Sequence, residues 1–206
     1  PWNQPGELAA LDKLITGNDV RARLVLQEWH RLADDPVRGK ALLFCVSVAH
    51  AEFMTAKLNA AGIAAVCVVG STQPDVRRSA PERLARGEIA AIVTCDLFNE
   101  GVDLPAVDTL LLLRPTHSSV LFQQQIGRGL RLSPGKESCL ILDFVGQHRR
   151  EFRFDRLLGT LTGLPRGQLL EAVEHGFGQL PPGCHIQLQR QTREQVLASL
   201  RELIQM

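Results

Sequence analysis

Tyrosine is absent from this 206-residue chain, and its aromatic side chains are limited to 8 phenylalanines and 2 tryptophans. A protein so poor in flat side chains has little with which to build an extended stacking platform for bases. No apolar run approaches the ~18 to 20 residues a membrane-spanning helix requires, and the first segment, PWNQPGELAALDKL, lacks the basic-then-apolar pattern of a secretory signal. No membrane association is expected. Charge of one sign is not in excess either: 23 Lys+Arg against 22 Asp+Glu leave a formal +1. That balance excludes binding to polyanions through bulk charge, so any nucleic-acid site must be local. The five cysteines (Cys45, Cys67, Cys95, Cys139 and Cys184) are odd in number and never spaced C-x-x-C, which argues against a disulfide framework and against a zinc knuckle. Cys45, Cys67 and Cys139 lie inside apolar runs and read as small buried hydrophobes. A reducing, cytoplasmic setting follows as the expectation.

Phosphate-binding loops are missing too. Gly39-Lys40 is followed by Ala41, with no earlier glycine at the spacing of G-x-x-x-x-G-K-[ST]. Gly127-Arg128-Gly129 continues as Leu-Arg-Leu, without the third glycine of G-x-G-x-x-G. No acidic pair stands at a strand end to hold magnesium. By itself the chain is not expected to bind ATP–magnesium tightly, although it can supply part of a shared site. It begins on Pro1 rather than methionine, and the expectation is a piece of a longer protein.

What is present is a repeated grammar of apolar run, turn, helical pattern and apolar run. The runs are ALLFCV (41–46), IAAVCVV (63–69), IAAIVT (89–94), VDTLLLL (107–113) and SCLILDF (138–144). Their length and lack of polar alternation suit strands buried on both faces of a parallel sheet. Residues 50–62 carry helical apolar spacing through Phe53, Met54, Ala56, Leu58 and Ala61, with Gly62 as the stop. Residues 75–88 are mostly polar, and Pro81 suggests a break into two short helices. Residues 118–131 read as a further helix with Ser118 or Ser119 as its cap. Strands alternating with helices imply right-handed crossovers and ligands gathered at the carboxyl ends of the strands.

Three divisions are expected: a lead-in helix and linker over 1–37, an α/β lobe over 38–147, and a helical extension over 148–206. The lead-in has one amphipathic helix near 19–32, carrying Val20, Leu24, Val25 and Trp29. The extension has helical patterns at 166–177 and 192–204. Thr192 and Gln195 fit a capping box for the last. The arginines at 149, 150, 153 and 156 are interrupted by Glu151 and Asp155, the pattern of a salt-bridged helix face. His50 and His117 read as surface or capping residues.

Two segments carry chemistry. In QQIGRGLR (124–131), Arg128 and Arg131 stand three residues apart on one helical face, where Gly127 and Gly129 let the backbone tighten. Two guanidinium forks so placed suit a polyphosphate better than lysines would. In TCDLFNEGVDLP (94–105), Asn99, Glu100 and Gly101 follow a strand, and Asp103 can accept a hydrogen bond from a ribose hydroxyl. Thr94, at the strand's end, offers a hydroxyl and an N–H to a phosphodiester, or simply closes the strand. Ser47 is open to the same two readings, a backbone contact or an ordinary helix cap.

Together these segments resemble the second RecA-like lobe of superfamily 2 helicases. ALLFCVSVAHAE (41–52) resembles motif IV, TCDLFNEGVDLP motif V, and QQIGRGLR motif VI in the form Q-x-x-G-R-x-x-R, in the family's order over about residues 38–146. The flanks resemble DEAD/DEAH-box-like proteins related to restriction-enzyme helicase subunits. The resemblance implies a RecA-like, P-loop-NTPase-type parallel sheet flanked by helices. It also implies ATP bound between this lobe and an N-terminal lobe outside the chain, which supplies the phosphate loop and most of the magnesium site. Glu100, Gly101 and Asp103 would meet the nucleotide. Arg128 and Arg131 would contact its phosphates, with Arg131 as the finger, and Gln124 would couple the nucleotide site to the first lobe. Ser47, Gly70 and Thr94 would follow the sugar-phosphate backbone of one strand. Motif VI departs from the His-Arg form of DEAD-box RNA helicases, which favours DNA over RNA. Two rivals stand beside this reading: a nucleic-acid-binding module without ATPase activity, and a nucleotide-dependent transferase built on a similar sheet.

Overall fold

The structure is a computed structural model that describes residues 5–33, 35–95, 104, 106–114, 134, 136–144, 155, 158–159, 162–177, 186–188 and 190–204. Five strands, β1 (Ala41–Phe44), β2 (Ala65–Cys67), β3 (Ala91–Thr94), β4 (Thr109–Leu112) and β5 (Leu140–Asp143), form one sheet in the order β2-β3-β1-β4-β5. Every pairing is parallel. Each strand lies inside one of the five apolar runs. β1, β3 and β4 are buried at every residue, as strands covered on both faces should be. Phe44 pairs with Thr94 and with Leu112, and Leu112 with Asp143, so four strand ends share one row along the carboxyl edge.

Among the described residues, the helices before and between the strands are α1 (Pro5–Ile15), α2 (Asp19–Leu32), α3 (Val48–Ala60) and α4 (Pro74–Ala85). In α2, Asn18 caps the first turn by accepting from the Arg21 N–H, and Ala22, Val25 and Trp29 recur at helical spacing on the buried face. In α3 the buried stripe is Ala51, Met54 and Leu58. Both stripes enter one core with Ala41, Leu43, Val93, Leu111 and Leu142 of the sheet. Gly62 ends α3 as expected, at φ +81°, a conformation that an L side chain adopts only with strain. Asn59 then pins the start of β2, donating to the Ala65 carbonyl at 3.1 Å and accepting its N–H at 2.9 Å.

Four expectations need correction. The lead-in contains two helices, because α1 precedes α2. Val20 and Leu24 are 70% and 51% exposed, so the core-facing stripe of α2 runs through Ala22, Val25 and Trp29 instead. Residues 74–85 form one helix that continues through Pro81. Proline removes one backbone bond there, but Ala80 and Leu84 on either side of it are both buried, and that packing holds the helix in one piece.

The chain divides into two compact units, residues 1–115 with 124–145, and residues 116–123 with 146–206. The second has its own core. Leu169 and Val173 of α5 (Arg166–His175) and Val196 and Leu200 of α6 (Arg190–Ile204) are buried, and Arg201 pairs with Glu174. Asp155 is buried and pairs with Arg166 at 2.7 Å. The arginines at 149, 150, 153 and 156 lie outside the described residues. The fourth correction is here: α6 starts at Arg190, so Thr192 lies inside the helix rather than capping it.

Candidate nucleotide and nucleic-acid edge

The carboxyl edge of the sheet gathers Cys45, Val46 and Ser47 after β1, Val68 to Gly70 after β2, Thr94 and Cys95 at the end of β3, Arg114 after β4, and Asp143 with Phe144 at the end of β5. A parallel sheet puts all these positions on one side by construction, and open α/β sheets take their ligands there. Of the expected site residues, Ser47, Gly70 and Thr94 are described. Glu100, Gly101, Asp103, Gln124, Arg128 and Arg131 lie outside the described residues, as do Ser118, Ser119 and His117.

Ser47 is the N-cap of α3. Its oxygen accepts from the His50 N–H at 3.0 Å, and its hydroxyl donates to Asp12 of α1 at 2.5 Å. The cap is therefore real, and the hydroxyl proton is already engaged. Gly70 is exposed, with open space where a side chain would stand. Its loop is clasped by Arg77 of α4, whose Nη2 donates to the carbonyls of Gly70 (2.8 Å), Val69 (3.3 Å) and Thr72 (3.3 Å). The Thr72 hydroxyl closes the turn by accepting from the Val69 N–H at 2.8 Å. Thr94 is 0% exposed and its hydroxyl turns to the carbonyl of Cys95 at 3.4 Å, so it is not presented to a ligand in this arrangement.

His50 departs from expectation. It is 2% exposed, and its Nδ1 accepts from the Val46 N–H at 3.3 Å. That bond requires an unprotonated Nδ1. Burial, aided by the nearby Arg21 cation, pushes its pKa down to about 4, with Asp12 pulling weakly the other way. A histidine four residues beyond Val46 in sequence thus fixes the β1–α3 turn rather than facing water. Arg21 of α2 reaches the same edge and donates to the Phe144 carbonyl at 3.0 Å. Cys45 is buried, and burial raises its pKa well above the usual thiol value; Cys67 and Cys139 are only half-buried, with burial raising both, Cys139 to about 11. These thiols stay protonated at neutral pH, as packing side chains rather than nucleophiles. Among the described residues no three His, Cys, Asp or Glu side chains converge to hold a metal ion.

Sequence reading missed Asp12, Arg21 and Arg77. Arg77 left a signal, an arginine one helical turn after the proline that opens α4. Asp12 and Arg21 left none, because their partners are 35 and 123 residues away.

The family model for the helicase conserved C-terminal domain matches residues 24–133, just over half the chain. The chain belongs to that family. As a helicase C-terminal domain it is 33% identical over 140 residues to the ATP-dependent helicase IRC3 of Saccharomyces cerevisiae, which covers 68% of this chain and 20% of the relative. It is 38% identical over 113 residues to a mitochondrial ATP-dependent helicase of Schizosaccharomyces pombe, 55% of this chain and 19% of that one. It is 33% identical over 141 residues to a type I restriction endonuclease subunit of Escherichia coli, 60% of this chain and 12% of that one. The domain thus spans about a fifth or less of these relatives. Among solved structures, the C-terminal domain of the DEAD-box protein Dbp5 superposes with a TM-score of 0.55 at 17% identity, covering 71% of this chain and 82% of that one. Mss116p bound to single-stranded RNA and AMP-PNP superposes at 0.52 and 20% identity, covering 74% and 32%. At such identities the likeness is one of fold, and it establishes the RecA-like architecture. A transferase built on a similar sheet does not fit this membership. No helix among the described residues is long and apolar enough to cross a membrane.

Proposed function

We propose that this domain is the second motor lobe of an ATP-dependent helicase or translocase acting on nucleic acid, DNA before RNA. The observation that carries the reading is positional. In a domain of the helicase family, TCDLFNEGVDLP begins on the last residue of β3, and QQIGRGLR lies between β4 and β5. In a parallel sheet each connection leaves its strand at the carboxyl edge and returns at the opposite one, so TCDLFNEGVDLP starts at the ligand edge and QQIGRGLR belongs to the connection that leaves β4 there.

In this reading an N-terminal lobe of the same protein presents ATP and its magnesium. Gly101 lets the backbone approach the nucleotide, Glu100 lies beside it, and Asp103 accepts from a ribose hydroxyl. Arg128 and Arg131 set their planar forks against the phosphates, Arg131 as the finger, and Gln124 links this edge to the other lobe. Ser47, Gly70 and Thr94 hold one strand by its backbone, Thr94 only once its buried hydroxyl is uncovered. Closure of the two lobes on ATP and reopening after hydrolysis shift that grip. DNA is favoured because motif VI opens on glutamine rather than on His-Arg, and a type I restriction endonuclease subunit is among the relatives. A cytoplasmic, reducing setting is in keeping with the thiols of Cys45, Cys67 and Cys139, none of which is in a disulfide.

The deciding experiment measures ATP hydrolysis by the two-lobed parent with single-stranded DNA, duplex DNA and RNA in parallel, beside this chain alone. Stimulated turnover by the parent and none by the isolated chain is the expected result. Turnover by neither, with nucleic-acid binding intact, would make this a binding module without motor activity.

A further inference from the structure

The hydroxyl of Ser47 stands at the head of the 13-residue helix α3, beside the end of the central strand β1. First-turn N–H groups and the helix dipole make this a favourable place for an oxyanion. The oxyanion found there comes from the chain itself. Asp12 of α1 accepts a hydrogen bond from the Ser47 hydroxyl at 2.5 Å, and it also accepts from Thr16, just past the end of its helix, at 2.6 Å. A carboxylate oxygen accepting from a hydroxyl at a helix start does what an oxygen of a phosphodiester would do in the same spot.

Among the described side chains of α1 only Ile15 is buried, and Leu14 is 67% exposed. Its neighbour α2 is held by Ala22, Val25 and Trp29, all buried. Between the two helices Gly17 sits at φ +80° with nothing within 4 Å of a would-be Cβ. For α1 to leave while α2 stays, the contacts of its described residues that must yield are the Asp12–Ser47 bond, the burial of Ile15 and the bond from the Asn18 amide to the Leu14 carbonyl.

We propose that Asp12 is a built-in competitor for the nucleic-acid backbone: the docked α1 occupies the Ser47 donor that a strand phosphate takes, so α1 docking and strand binding exclude each other at this position. The proposal rests on the reading of Ser47 as a backbone contact. Binding of fluorescein-labelled oligothymidine and oligouridine to the 206-residue chain tests it, the two probes separating DNA from RNA as the source of the phosphate. Asp12→Ala is expected to tighten binding about two- to tenfold, the worth of one competing hydrogen bond, with Asp12→Asn intermediate. Ser47→Ala should weaken binding in the Asp12→Ala chain, and the gain from Asp12→Ala should vanish when Ser47 is already alanine. Ser47→Gly, which disturbs the cap less, repeats that arm, and circular dichroism verifies folding of each variant. Amide exchange supplies a second readout: saturating oligonucleotide should strip protection from residues 5–15 of the unmodified chain.

Each contrary result is decisive. Unchanged or weaker binding by Asp12→Ala, or a gain that survives in the Ser47→Ala chain as a mere charge effect, overturns the competition while leaving the Ser47 contact standing. No loss on removing Ser47 from the Asp12→Ala chain, or no binding of either probe, removes the Ser47 contact and the competition together.

Discussion

Arg77 on α4 and Gly70 beyond β2 are joined by a 2.8 Å hydrogen bond from guanidinium to carbonyl, the shortest of three that one nitrogen makes to the 69–72 turn. The turn thereby takes its shape from the helix as well as from its own Thr72. Gly70 has no side chain with which to grip anything, so what it can offer a strand is backbone, and backbone binds well only when held still. Arg77→Ala should lower stability by about 1 to 2 kcal/mol and weaken oligonucleotide binding several-fold. Arg77→Lys should restore stability better than binding, since an ammonium lacks the planar reach of the fork. A melting curve and a binding titration on each variant check this, and full binding by Arg77→Ala would detach the loop from the nucleic-acid reading.

His50 gives a pH dependence whose sign follows from its burial. Its folded pKa, about 4, lies below the ordinary 6.5. Between those values the unfolded chain binds the proton and the folded chain does not, so stability rises with pH across that window and is lost as pH falls from 6.5 toward 4. The fold is expected to lose on the order of 2 to 3 kcal/mol over the window from this group. His50→Asn keeps an acceptor for the Val46 N–H without a titrating ring, and it should flatten the profile. Denaturant unfolding at pH 4.5 and pH 7 for both chains is the measurement. An unmodified chain with equal stability at the two pH values would contradict the buried, neutral imidazole.

Trp29 tests whether the lead-in helices belong to the lobe. It is fully buried in the core that β1, β3 and β4 share, although it precedes the first strand by a dozen residues. Trp29→Ala should cost about 3 to 5 kcal/mol and lower the melting temperature of the whole sheet. Trp29→Phe should cost far less, because the indole N–H has no hydrogen-bond partner to lose. If the alanine variant melts like the parent chain, α2 is an accessory rather than part of the core.

The sequence made the sheet plain because burial on both faces leaves an unbroken apolar run, and each of the five runs contains one strand. Gly62 was equally plain, since the end of α3 demands a positive φ. Single side chains were harder. Val20 and Leu24 are apolar yet exposed, because three other residues fill the contact with α3 and the sheet. Pro81 stays within its helix because tertiary packing outweighs one lost bond. His50 is drawn inside by an N–H four residues back, a local bond that composition does not announce. Asp12 was illegible for a different reason: nothing within 30 residues of it in sequence says that Ser47 will be its partner.

Arg131 remains the sharpest test of the motor reading. Motif VI places it three residues after Arg128, and a guanidinium laid against the transferred phosphate offsets the charge that develops there. In the two-lobed parent, Arg131→Ala should therefore lower nucleic-acid-stimulated hydrolysis by about a thousandfold or more. ATP-analogue affinity should fall much less, and the melting temperature should stay where it was. Arg131→Lys should fail to rescue, since a point charge lacks the planar fork. Steady-state phosphate release, with analogue binding and a melt run beside it, separates a finger from a structural arginine. A finger takes the rate alone, whereas a structural residue takes the melt with it.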